Sequence, residues 1–253
     1  MSIFPEHRQM MQQFLGDDPL SRAVRNPGTI EALLAMGLWL EKNKRISGPG
    51  ATDSPNFMSY HHLLTLCAIF HPSLNVRNAA TNLAGAVLHA DPDPEDRLKI
   101  LDDLLENCVF ASVQACAVTW LREELMAAAD QKLDNCFSTT EAIESLQYTM
   151  FPNLSYLKDI DNAALSDFWL QNHPFHLQVA NFAYLLFSGS KFKHLVPDGM
   201  PAAVEQRYVE PLIKAAKLLQ EEAEGKGLGG GETGGDLMML LGVLVDRLQS
   251  LSL

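Results

Sequence analysis

The sequence predicts an all-α protein, a HEAT/armadillo-like α-solenoid of antiparallel helix pairs. Three observations carry that prediction. Apolar residues recur at i, i+3, i+4 and i+7 along most of the 253 residues, no run sustains strand alternation, and the stretch from Ser73 to Leu125 echoes itself. Laying Ser73 on Phe110 brings Val76 onto Val113, Ala79 onto Cys116, Ala80 onto Ala117, Leu83 onto Trp120 and Leu88 onto Leu125, an offset of 37 residues. A short period of helix-only content marks a stacked helical repeat, because each unit needs its neighbours to cover its apolar face.

Taken in order, residues 3–15 read as a short helix with Phe4, Met10, Met11 and Phe14 as core. Asp18-Pro19 opens a second helix: an Asp side chain can accept a first-turn amide, and Pro gives up nothing at N1. Asn26 or Thr29 precedes a stronger helix with the stripe Ile30, Leu33, Leu34, Leu38 and Trp39. Residues 46–56 form a Gly/Pro/Ser loop, and Phe57 to Phe70 an apolar-rich helix carrying His61 and His62. Ser73 is the expected N-cap of a helix that Asp91-Pro92 ends; Asp93-Pro94-Glu95-Asp96 restarts the chain with acids at the positive end of the helix dipole. That next helix should bury Leu98, Leu101, Leu105 and Cys108, and the following one Val113, Cys116, Ala117, Trp120, Leu121 and Leu125.

Ser/Thr residues at 138–140 cap the helix Glu141–Met150, Asn172-His173-Pro174 is read as a further helix start, and a long helix begins at Pro201 or Ala202. The expected organisation is one helical repeat domain over 1–224, a glycine-rich linker over 225–235 and a final helix over 236–253.

Composition excludes several function classes. Hydrophobic content of 47% with 20% charged residues is that of a globular chain. A net charge of −12 repels phosphate backbones, so direct nucleic-acid binding is not expected, and an acidic surface suits a basic protein segment instead. The longest late apolar run, Leu237 to Val245, is too short to span a bilayer, so no membrane role is expected. Cys67, Cys108, Cys116 and Cys136 form no CxxC pair, and with no signal peptide visible the expected compartment is a reducing one, cytoplasm or nucleus.

The chemical motifs are weak. GKGLGGGETGG lacks the Lys-Ser/Thr that ends a phosphate loop and follows a helix, so it reads as a linker. His173 and His176 lack the companions of a metal site, His61 and His62 point to different helix faces, and Cys67 with His71 is a core cysteine before it is a nucleophile. No catalytic, cofactor or metal residue is assigned, and no enzyme is expected. The best partner-contact candidates are Arg77 and the acids Asp91, Asp93, Glu95, Asp96, Asp102, Asp103 and Glu106.

Over roughly residues 55–190, the His71-Pro72 turn, Val76-Arg77, the run Val87-Leu88-His89-Ala90 with its Asp-Pro-Asp-Pro continuation, and Ala117-Val118 through Trp120-Leu121 with Glu124 resemble the YAP-binding, aberrant-root-formation and glomulin family, specifically its fungal branch. The resemblance implies a solenoid of HEAT-like repeats that acts by binding. Fungal YAP-binding relatives associate with a stress-responsive basic-leucine-zipper (bZIP) transcription factor and support its oxidation-dependent activation. A paralogous branch is associated with the kinetochore, and the glomulin branch covers the RING subunit of cullin-RING ubiquitin ligases. Relatives are longer, so the chain is read as a shortened member retaining a later portion. By this resemblance it is a cytoplasmic adaptor of the oxidative-stress response, with ligase regulation or a kinetochore scaffold as alternatives.

Overall fold

The computed structural model describes residues 1–47, 56–225 and 232–253. Among these the chain is helical, with no strand and one isolated bridge between Phe4 and Ser47. It divides into two compact units, Met1–Leu104 and Leu105–Leu253.

The first unit holds α1 (Glu6–Leu15), α2 (Pro19–Arg25), α3 (Pro27–Lys42), α4 (Phe57–Phe70), α5 (Leu74–His89) and most of α6 (Pro94–Asn107). Caps set the starts: Asp18 accepts from the Ser21 amide and Asn56 from the Ser59 amide. Ser73 occupies the N-cap of α5 without a hydroxyl cap bond; its amide donates to His71 Nδ1 at 3.1 Å instead. Residues 3 and 4 lie outside the helix, because the Ile3 and Phe4 amides donate to the Arg45 and Ile46 carbonyls and Phe4 packs on Phe57 at 4.6 Å. Ile3, Phe4, Met11 and Leu15 fill that corner, whereas Met10 is exposed. Trp39 is 54% exposed, with Arg45 stacked on it at 5.4 Å; Leu40 takes the core position.

Helices α4 and α5 form the tightest pair, α5 also packs on α3, and α4 on α2. The centre of this unit is polar. His7 Nε2 lies 2.8 Å from the Leu33 carbonyl and the Tyr60 hydroxyl 2.7 Å from His7 Nδ1. One assignment satisfies all three groups: Nε2–H donates to the carbonyl and the Tyr60 hydroxyl donates to Nδ1, so the ring is neutral. Gly37 sits directly over this pair. A Cβ there would be 2.6 Å from Leu83 Cδ2 and 3.0 Å from His7 Cε1, so α3 approaches its neighbours where only glycine fits.

The second unit contains α7 (Ala111–Gln131), α8 (Glu141–Met150), α9 (Asn162–Ser188), α10 (Met200–Val204), α11 (Glu210–Gly225) and α12 (Glu232–Gln249). A π-helical turn, Glu205–Val209, joins α10 to α11. Helix α7 packs along α9, where Gln178 donates to Thr119 Oγ1 at 2.8 Å; α11 and α12 pack on each other and on α9. The expected helix start at 172–174 is an interior position: α9 runs unbroken from its Asp161 cap through Pro174. Asn172 Nδ2 donates to the Phe168 carbonyl, and His173 Nδ1 lies 3.2 Å from the Trp169 carbonyl; these serve the turn before the proline. Residues 226–231 of the expected linker, like 48–55 of the expected loop, lie outside the described residues. Gly225 closes α11 and α12 opens at Glu232.

The 37-residue offset survives as burial. Ser73 and Phe110 are N-cap residues, and Ala80/Ala117, Leu83/Trp120 and Leu88/Leu125 are all buried. The second unit also has a buried histidine–tyrosine pair: the Tyr208 hydroxyl lies 3.0 Å from His176 Nδ1, among Phe151, Trp169 and Phe175.

Burial holds His7 below the ordinary imidazole value and pushes His61 and His176 down to about 3. Neutral in the fold and free to protonate near 6.5 when unfolded, these rings contribute stability that is complete above about pH 6.5 and is lost as pH falls towards 3. Urea unfolding should show lower stability at pH 5 than at pH 7, by up to roughly 2 kcal/mol for each such histidine. His176→Gln should flatten that dependence; identical stability at the two pH values would contradict it.

Candidate protein-binding surface

The acids singled out in the sequence are mostly engaged locally. Asp91 is buried, and burial raises its carboxyl above the usual range; Oδ1 accepts from the Asp93 amide at 3.0 Å and its carbonyl accepts from Arg97. It shapes the turn into α6 and presents no face to a partner. Asp93 Oδ1 accepts from the Glu95 amide, Asp96 pairs with Lys99 at 2.9 Å, and Asp103 lies 2.9 Å from His62 Nε2. Asp102 is half-buried and also engaged. Glu95 and Glu106 are exposed. Arg77 is half-buried in the first turn of α5, and its carbonyl accepts from Thr81 Oγ1. The surface pairs count for little energetically, and Asp93, Glu95 and Glu106 keep their charge at the surface.

The thiol and imidazole candidates are placed for structure. Cys67 is buried, which pushes its thiol up to about 12, and Cys116 is raised for the same reason. His71 accepts from the Ser73 amide at Nδ1, leaving Nε2 to donate to the Pro27 carbonyl at 3.3 Å; neither nitrogen is available to take a proton from Cys67. His173 and His176 are committed to a backbone carbonyl and to Tyr208. Among the described residues no three His, Cys, Asp or Glu side chains gather as a metal site.

The surface with the composition of a protein-binding site lies in the second unit. A 3-10 turn, Ser155–Asp159, packs on α11 and leaves a groove of about 540 Å³. Leu157, Ala215 and Leu218 supply its apolar lining; Leu157 and Ala215 are buried, and Leu218 is 49% exposed. Lys158, Lys214 and Lys217 stand on its edges. Lys214 pairs with Glu210 at 3.2 Å, whereas Lys158 and Lys217 make no ion pair among the described residues.

The π turn builds one end of this groove. Gln206 lines it, while Arg207 reaches back to the Phe151 carbonyl at 2.9 Å and the Gln147 carbonyl at 3.2 Å and lies 4.5 Å over the Tyr148 ring. The Leu154 amide donates to the Arg207 carbonyl at 2.8 Å, which fixes the segment that enters the 3-10 turn. Tyr148 and Tyr156 are 66% and 50% exposed. Exposed tyrosine, and an arginine stacked on one as half-buried Arg207 is on Tyr148, are residue types that carry binding energy at protein interfaces. None of these residues was singled out in the sequence. The signal was present in Tyr148, Tyr156 and the Lys214/Lys217 spacing, but the groove forms only when residues 155–159 meet a helix some fifty positions later.

The family model described as an uncharacterised protein family, YAP/Alf4/glomulin, matches residues 1–248, a wider span than the residues that first suggested the resemblance. No curated protein and no solved structure matches the chain. With nearly its whole length covered, the chain belongs to the YAP/Alf4/glomulin family.

Proposed function

We propose that this chain is a non-enzymatic adaptor that binds a stress-responsive bZIP transcription factor and acts in the oxidative-stress response, in the cytoplasm or nucleus. Family membership over residues 1–248 carries the reading. The Arg207–Tyr148 stack, exposed Tyr156 and a groove with an apolar lining support a role in protein binding. The packing of α3 on α5 and of α2 on α4, each helix meeting its next-but-one neighbour, supports an α-solenoid organisation of the kind such adaptors use. Glomulin in the family description supports a second reading, regulation of a cullin-RING ubiquitin ligase through its RING subunit.

In this reading the chain contributes a surface rather than a redox centre at Cys67 or Cys116. Thiolate is the reactive form, and burial disfavours it at both positions. Both thiols should therefore resist alkylation in the native chain at pH 7.5 and react once it is unfolded. Mass spectrometry of an iodoacetamide time course checks this, and labelling of native Cys67 or Cys116 at the rate of the unfolded chain would contradict it.

Affinity capture of the tagged chain from its own cells, before and after peroxide, tests the function. Recovery of a bZIP factor in an amount that changes with peroxide is expected. Recovery of cullin and RING subunits in its place would move the function to ligase regulation. Recovery of neither above an unrelated helical-repeat control would overturn both readings.

A further inference from the structure

The groove beside α11 has a charge at odds with the unit that contains it. Residues 105–253 carry nineteen acids against ten lysines and arginines. Three of those ten, Lys158, Lys214 and Lys217, line the groove. Its own acids are Glu210, tied to Lys214, and Glu221, one turn beyond Lys217. The cations without an ion pair, Lys158 and Lys217, flank the apolar lining, so the local field favours an anionic occupant on an otherwise acidic surface.

The groove is also long. Its lining on the α11 side runs from Gln206 to Glu221, about 22 Å at 1.5 Å per residue. That is about four helical turns, the length over which an amphipathic helix places residues i, i+3 or i+4 and i+7 into an apolar channel. Leu218 is the exposed apolar side chain that such a helix would cover.

We propose that this groove docks an acidic amphipathic helical segment of a protein partner, with apolar side chains on Leu157, Ala215 and Leu218 and carboxylates against Lys158 and Lys217. The proposal gives the adaptor reading a surface and a ligand chemistry, and it rests on that reading in taking the occupant to be a protein. The acidic helix α6 of a second copy is the wrong occupant, because Leu98, Leu101 and Leu104 of its apolar face are already buried in its own unit. Nor is the groove suited to a basic segment, which would bring like charge to the lysines.

The test is selection of binders to the full chain from a display library of random 16-residue helical peptides, followed by titration of the recovered peptides. Binders should be enriched in Asp and Glu, carry apolar residues at i, i+3 or i+4 and i+7, and weaken at least tenfold against Lys158→Glu/Lys217→Glu and against Leu218→Asp. All three positions are exposed, so the variants should melt at the parent temperature; a selected peptide's affinity should also fall steeply with salt. Binders without acidic enrichment, binders indifferent to the charge reversal, or a library that yields none would overturn the proposal. A self-associated chain that the charge reversal dissociates would overturn it too, by giving the groove to a second copy. Capture from cells with the double variant keeps the two readings apart. If the variant recovers the same partner as the parent, the groove proposal fails and the adaptor reading stands; if the parent recovers none, the adaptor reading fails whatever the peptides show.

Discussion

A buried imidazole has to stay neutral and has to find partners for its ring nitrogens, and each unit of this chain is arranged around meeting that demand. In the first unit the Tyr60 hydroxyl and the Leu33 carbonyl bracket His7, and Gly37 clears the space above them. In the second, Tyr208 meets His176 within a wall of Phe151, Trp169 and Phe175. The second arrangement has the larger consequence. Tyr208 belongs to the π turn, and its inward orientation fixes the phase of its neighbours. Gln206 then lines the groove, and Arg207 ties back to residues 147–154. The groove is thus held in place by a core contact.

Much of the fold was legible because helix signals are local. The Asp18 cap, the stop at Asp91-Pro92 and the apolar period of α5, α6 and α7 depend on residues within a few turns of each other. Errors fell where specific side-chain and loop contacts overrode the helical period. Residues 3 and 4 gave up helix to pair with residues 45–47, Trp39 found Arg45 outside the core, and side chains of the preceding turn bond to carbonyls of α9 just before Pro174. The contact surface was less legible still. Acids attract notice when they are consecutive, as at Asp91–Asp96, yet the fold spends them on turns and pairs. The groove lysines are scattered from Lys158 to Lys217, and nothing in the linear order shows that they converge.

The emphasis therefore moves from the acidic face of α6 to a locally basic groove in an acidic unit. A net charge of −12 points to basic partners when it is read as a total. Its distribution allows the opposite at one place, where unmet lysines border apolar surface. Electrostatics of this kind would govern partner choice and encounter rate, while the apolar lining would supply most of the affinity.

If the chain binds a protein partner through the second unit, hydrogen–deuterium exchange on the full chain, with and without the partner recovered from cells, should show it. Slowed exchange is expected at residues 155–159 and 206–221, with little change in the first unit. Protection confined to residues 1–104 would contradict it.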